Sequence, residues 1–189
     1  MRIQKRSFKT VPLCPLFIMR RVILISLLIL FIIASGYYFW PEKKLPVGNA
    51  ITKLIVYKSE NKLLAYSGET LLKTYTVSLG HNPTGDKVFE GDNKTPEGNY
   101  TINAKNPKST CYKNLGISYP NSADIDEAKR LGRSPGGDIK IHGLPNGQGL
   151  IGKFHRFKNW TNGCIGVTNT EMDELYGSVA IGTPIIIKP

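Results

Sequence analysis

The longest apolar run in the chain covers residues 22–40, nineteen positions with no charge and no polar face. As a helix it spans roughly 28 Å, close to the ~30 Å hydrocarbon core of a bilayer. A run that is apolar on every side suits lipid better than the one-sided burial of a surface helix. Residues 1–21 carry six basic side chains, Arg2, Lys5, Arg6, Lys9, Arg20 and Arg21, and no acidic one. The positive-inside bias therefore predicts a basic cytoplasmic segment over 1–21, a single transmembrane anchor over 22–40 and export of everything beyond it. Tyr37, Tyr38 and Trp40 stand where an interfacial aromatic belt belongs. Ala34-Ser35-Gly36 offers small residues to a signal peptidase, so a cleaved signal is the competing reading, although the run exceeds the usual signal core of about 7 to 15 residues. Met19-Arg20-Arg21 would itself make an ordinary start for such a segment.

Past residue 40 the pattern changes. Residues 41–50, with Pro41, Lys43, Lys44, Pro46 and Gly48, read as a linker. Short apolar runs separated by turn residues follow at 51–57, 62–66 and 71–79, and predict three strands of an antiparallel meander. In the third run the face bearing Leu71, Lys73, Tyr75 and Val77 is expected to be buried, and the face bearing Leu72, Thr74, Thr76 and Ser78 exposed. Residues 80–98 are rich in Gly, Pro, Asn and Asp; Thr95-Pro96-Glu97-Gly98 reads as a turn leading into a strand at 99–104. A helix is expected over 122–131, capped by Asn121 or Ser122, with acids at its start, Lys129 and Arg130 at its end and Gly132 to stop it. Residues 138–141 predict a strand that delivers His142 at its end, and 144–159 read as loop. Thr168 and Glu171 form a capping box for a helix over 172–176 ended by Gly177, and 184–188 is the last strand. The exported part is thus one mainly β domain, 51–189, with one or two short helices.

About 150 residues remain beyond position 40, enough to bury a real core. The net charge is +11, but six positive charges lie in 1–21, which leaves 19 basic against 14 acidic residues, or +5, for the remainder. That excess suits an anionic wall polymer or membrane surface, or is simply a solvated basic face. There is no basic stripe interleaved with aromatics, and export argues against a nucleic-acid partner. The three cysteines, Cys14, Cys111 and Cys164, make no disulfide framework, and pairing Cys111 with Cys164 would block the one best placed for chemistry.

That one is Cys164, within Trp160-Thr161-Asn162-Gly163-Cys164-Ile165-Gly166, with His142-Gly143 arriving from a separate segment 22 residues upstream. A cysteine attacks as thiolate, so it needs a nearby base or positive field to bring its pKa below the free value of ~8.5. The helix start at Thr168 lies four residues on, too far to contribute much, so the imidazole is expected to supply most of that effect. Gly163 lets its own N–H and that of Cys164 point at a developing oxyanion. The plainer alternative is a small buried hydrophobic Cys164. His155 is the rival base, His81 reads as a polar loop residue, and Trp160 either stacks on substrate or packs beneath the loop. His142, His155 and Cys164 lack a zinc spacing, so neither a metal nor another cofactor is expected.

Ile141-His142-Gly143 together with Thr161-Asn162-Gly163-Cys164-Ile165 resembles the L,D-transpeptidase catalytic domain, the YkuD-like family, whose motif is His-Gly followed by Ser/Thr-x-Gly-Cys. Val56-Tyr57-Lys58-Ser59 with Leu63-Leu64, Ser78-Leu79-Gly80, Thr95-Pro96-Glu97-Gly98 and Gly182-Thr183-Pro184 also look like that family, so the likeness runs through most of 51–189. It implies a β-sandwich-like fold and a thiol acyltransferase acting on peptidoglycan stem peptides. Cys164 would be the nucleophile on the third residue of a donor tetrapeptide, releasing D-Ala. His142 would be the base, the Gly143 carbonyl its orienting partner, and the Gly163 and Cys164 N–H groups the oxyanion hole. Thirteen residues on from His142, His155 would serve substrate contact or loop structure. The partners implied are a donor tetrapeptide stem and an amine acceptor, with the membrane holding the N-terminal helix. Two departures stand out: Gly166 where many members carry Arg, and Asn162 where many carry His. With water as acceptor the same site would make an L,D-carboxypeptidase or another peptidoglycan hydrolase; a dead site would leave a wall-binding module. Papain-type peptidases are disfavoured because they place Cys before His.

Overall fold

The computed structural model describes residues 15–189. Arg2, Lys5, Arg6 and Lys9 of the basic segment, and Cys14, lie outside the described residues. The described residues divide into two units, which part between residues 41 and 42. The first is helix α1, Pro15–Phe39. It begins seven residues before the uncharged run, at a proline whose fixed φ suits a first helical position, so Arg20 and Arg21 lie inside the helix and not ahead of it. The Arg21 guanidinium lies 4.3 Å from the Phe17 ring centroid one turn back. Phe17–Phe39 is long and apolar enough to cross a membrane, a property shared by anchors and signal sequences.

The second unit is mostly sheet. Strands β1 (Lys53–Tyr57), β2 (Lys62–Ser67) and β3 (Thr70–Thr76) form the expected antiparallel meander. Then come β4 (Gly98–Ser109), β5 (Tyr112–Ile117), helix α2 (Ser122–Arg130), β6 (Lys140–His142), a 3-10 segment (Gly149–Phe157), β7 (Ile165–Gly166), helix α3 (Asn169–Ser178) and β8 (Pro184–Lys188). The spatial order is β3-β2-β1-β8-β4-β5-β6-β7. The β1/β8 and β6/β7 pairs are parallel and the others antiparallel. The mainly-β expectation holds, and the strands roll into a half-barrel. β4 makes this possible, because its first residues pair with β8 and its later ones, past register shifts, pair with β5. Just beyond β3, Ser78 and Gly166 exchange both backbone hydrogen bonds, at 2.9 and 2.7 Å, so the two ends of the strand order meet. Leu54, Leu63, Tyr75, Ile102, Leu115 and Ile185 fill the interior.

The buried face of β3 is the one expected except at its start. Lys73, Tyr75 and Val77 are buried, but Leu71 is 46% exposed and Leu72 only 7%. Tyr66 pairs with Leu71 while Ala65 pairs with Lys73, so Leu72 is an extra residue that inverts the alternation at this point. Lys73 is buried because its ammonium pairs with Glu174 at 2.6 Å. Strand β5 and the 3-10 segment had no counterpart in the sequence reading, which also ended β4 at 104. Helix α2 is capped by Asn121 in a reciprocal box with Asp124. The Thr168/Glu171 box caps α3, which runs through Gly177 to Ser178.

Candidate functional site

The site is built on the short parallel pair β6/β7. Ile141 opposes Ile165 and His142 opposes Gly166. His142 ends β6 opposite Gly166, and Cys164 directly precedes β7, two residues before that position. Ile141 and Ile165, both fully buried, anchor the pair in the core. The two residues proposed from the sequence thus stand just before the start of β7 and at the end of β6.

His142 is 7% exposed. Its Nδ1–H donates to the carbonyl of Gly143 at 2.7 Å. A carbonyl can only accept, so this contact fixes the proton on Nδ1 and leaves the Nε2 lone pair for chemistry. Burial pulls the imidazole below its ordinary pKa; the Gly143 carbonyl opposes this and the Lys140 ammonium adds to it. The ring is neutral at neutral pH.

The Cys164 thiol donates to the carbonyl of Asp138 at 3.7 Å. Burial raises its pKa, against a partial lowering by the backbone N–H and then the charge of Lys140. This corrects the expectation of a thiol already pulled below the free value. A desolvated sulfur favours its neutral form, and the resting pair is thiol and imidazole. Asp138 holds a left-handed φ of 62°, which turns its carbonyl under the sulfur, and its side chain pairs with Lys140 at 2.6 Å.

Thr161 organises the turn before the cysteine. It is 5% exposed, donates its hydroxyl to the Cys164 carbonyl at 2.7 Å and accepts the Gly163 N–H at 3.1 Å. Its backbone is tied on both sides, N–H to Leu79 at 3.1 Å and carbonyl from the His81 N–H at 2.8 Å. Gly163 has φ 132°, and a Cβ there would lie 2.6 Å from the Lys94 carbonyl, so no other residue fits. Because the Gly163 N–H is spent on Thr161, it is not free to bind an oxyanion; the Cys164 N–H has no acceptor among the described residues. Asn162 is exposed and lines a polar recess of about 280 Å³ with Lys87, Glu90, Asn93 and Ile139. Asn162 and Ile139 in its lining are the chain neighbours of Gly163 and Asp138.

Trp160 packs edge-on to His142, with centroids 5.5 Å apart, and also against His155, at 6.4 Å. His155 is 5% exposed; Ser78 donates to its carbonyl at 2.9 Å, and the Trp160 N–H reaches its Nδ1 at 3.4 Å. Its Nε2 is buried without a partner among the described residues. Burial, with the Arg156 charge second, pushes its pKa down to about 4. The indole thus touches both His142 and His155. The His81 side chain is exposed, and only its backbone joins the site. Sequence reasoning missed Asp138 and Lys140; Gly136-Gly137-Asp138, a turn-forming run one residue before β6, was the available signal.

The family model for the L,D-transpeptidase catalytic domain (YkuD) matches residues 51–187. YafK of Escherichia coli (strain K12), named as an L,D-transpeptidase, is 29% identical over 141 residues, 69% of this chain and 50% of its own. YqjB of Bacillus subtilis (strain 168), named likewise, is 28% identical over 155 residues, 78% of this chain and 77% of its own. Among solved structures, the helical cell shape determining protein Pgp2 from Campylobacter jejuni shares the fold at a TM-score of 0.54 and 23% identity, over 78% of this chain and 52% of that one. The chain spans about half the length of YafK and of Pgp2. With the family match running from two residues before β1 to the penultimate residue of β8, the chain belongs to the L,D-transpeptidase (YkuD) catalytic-domain family.

Proposed function

We propose that residues 51–189 form an exported cysteine acyltransferase that works on peptidoglycan stem peptides, with Cys164 as nucleophile and His142 as base. The observation that carries this reading is the Nδ1–H bond from His142 to the Gly143 carbonyl at 2.7 Å, on the strand paired with the one that Cys164 directly precedes. A histidine locked in that tautomer presents a basic Nε2, and the carbonyl stabilises the imidazolium as it forms, the part a carboxylate plays in other triads.

The cycle runs as follows from these groups. Cys164 rotates about its Cα–Cβ bond away from the Asp138 carbonyl toward His142. The thiol proton passes to Nε2 as sulfur attacks the carbonyl carbon of the third residue of a donor tetrapeptide. The Cys164 N–H supports the oxyanion. The tetrahedral adduct collapses, the C–N bond breaks, and the imidazolium returns its proton to the departing D-Ala amine. An acceptor amine, deprotonated in turn by His142, then displaces the sulfur from the thioester and restores the thiol. Because both resting pKa shifts favour neutral partners, proton transfer accompanies attack and no standing ion pair is required. Thr161 holds the loop, and the recess lined by Asn162 lies where a stem peptide would approach.

Helix α1 fits this role as a single-pass anchor with a cytoplasmic N-terminus and 41–50 as its tether. Leu45 in that tether is already buried, and its N–H donates to Glu174 at 3.3 Å. The cell-shape role carried by Pgp2's name extends to this chain as part of the same proposal, through remodelling of the wall. The test is to incubate purified protein with disaccharide tetrapeptides, with and without an added D-amino acid, and weigh the products. Loss of D-Ala with gain of the acceptor supports transfer, and loss of D-Ala alone supports the hydrolase. Cys164→Ala should abolish both and His142→Ala should lower turnover by roughly 100-fold or more, whereas Cys111→Ala should change neither. Full activity in Cys164→Ala overturns the assignment.

A further inference from the structure

Gly166 is buried, and the side chain nearest to it is Trp160. A Cβ built on Gly166 would lie 2.9 Å from Trp160 Cζ2, 3.3 Å from Cε2 and 3.6 Å from Nε1. The indole therefore lies on the bare Cα of Gly166, at the position directly opposite His142 in the β6/β7 register. From there its edge meets the His142 ring at 5.5 Å, and its N–H points the other way, to Nδ1 of His155. His155 is held in turn by Ser78, whose hydroxyl lies 3.0 Å from Nδ1 and donates to the His155 carbonyl. Ser78 is the residue that exchanges both backbone hydrogen bonds with Gly166. The contacts form a closed circuit, Gly166 to Trp160 to His155 to Ser78 and back to Gly166, with His142 resting against it.

From this circuit we infer that Trp160 is a positioning residue for His142: seated on Gly166 and tethered to His155, the indole fixes the imidazole plane and keeps water off it. Resting on the reading of His142 as the base, the assignment explains two features that reading leaves idle. One is a buried histidine, His155, with no place in the chemistry. At neutral pH it is uncharged, because burial holds its pKa at about 4, so it packs edge-on to the indole without setting a charge beside the site. The other is the absence of a side chain at position 166. An arginine or even a methyl group there would lift the indole from the strand and open the His142 face to solvent.

The charged and titratable groups around His142 are Lys140 on its own strand, Cys164 just before the next and His155 across the indole. None of them is changed by the test. The full-length protein in detergent micelles is titrated by NMR, where only three histidines need be assigned, and turnover is measured alongside. Trp160→Leu and Gly166→Ala should each raise the His142 pKa toward the ordinary histidine value. Each should cut kcat by about tenfold or more while KM moves by less than about threefold, since alignment is lost and not substrate affinity. Trp160→Phe, which keeps a ring on His142, should hold the pKa nearer the wild-type value. Adding Gly166→Ala to Trp160→Leu should do nothing further, because the group it displaces is gone. The inference is overturned if the His142 pKa is the same in Trp160→Leu as in the wild type, or if Gly166→Ala shifts it equally in both backgrounds. Because the titration observes the ring directly, it decides the positioning role even where turnover of His142→Gln shows that another group is the base.

Discussion

At the scale of single residues the site is set by desolvation. Cys164 and His142 are both pushed toward their neutral forms, the first upward and the second downward, with burial the largest cause in each. Alkylation of Cys164 by iodoacetamide should therefore be slower at neutral pH than that of an unstructured thiol and should rise with pH through a range above the free value. A fast reaction that is flat from pH 5 to 8 would show a standing thiolate and contradict the neutral pair. His155 makes a separate prediction about stability. Its folded pKa of about 4 lies below the unfolded value, so in that interval the unfolded chain binds more protons and stability falls as pH drops. The loss begins near the ordinary histidine pKa, is complete below about 4 and amounts to about 3 kcal/mol. Denaturant unfolding of wild type and His155→Gln at pH 7 and pH 4 isolates it, because the variant should lack this increment while sharing the acid sensitivity of the carboxylates.

At the scale of elements the sequence was informative wherever local pattern and tertiary need agreed. The meander, the capping box at Thr168/Glu171 and the strand that delivers His142 were all readable because alternation and caps are local signals. β5 was not, since Tyr112 to Ile117 includes Lys113, Asn114 and Gly116, and its strand character comes from pairing with β4 and β6 on either side. The 3-10 segment was hidden by Gly149 and Gly152, the latter a kink of positive φ between its halves. The inversion at Leu71 and Leu72 depends on a bulge that only cross-strand pairing defines. It is testable: Leu72→Asp should cost about 3 kcal/mol or more, as an uncompensated buried charge, and Leu71→Asp no more than about 0.5 kcal/mol. Equal losses in thermal unfolding would show that the strand keeps regular alternation. Within the site, Cys164, His142 and Gly143 were legible as a motif. The use of the Gly163 N–H by Thr161 was not, because a side-chain hydroxyl competing for a backbone donor leaves no mark in spacing.

At the scale of the whole molecule the rolled sheet gives a reason for the chemistry proposed here to sit at β6/β7. These are the shortest strands, at the end of the order, and they are held by the segment beyond β3 that returns to bond Gly166 and Thr161. A site placed there is framed by loops from three parts of the chain and still rests on the common core. Membership of the L,D-transpeptidase family gives the fold and class, and the residue roles proposed here go beyond it. The most direct test of those roles is intact-mass analysis of the protein mixed with a donor tetrapeptide and stopped with acid within seconds. The account predicts an adduct equal to the donor minus D-Ala, mapped by peptide digestion to Cys164 and missing in Cys164→Ala. D-Ala released at the full rate with no such adduct at any time point, and none accumulating when His142→Ala slows the later step, would contradict it.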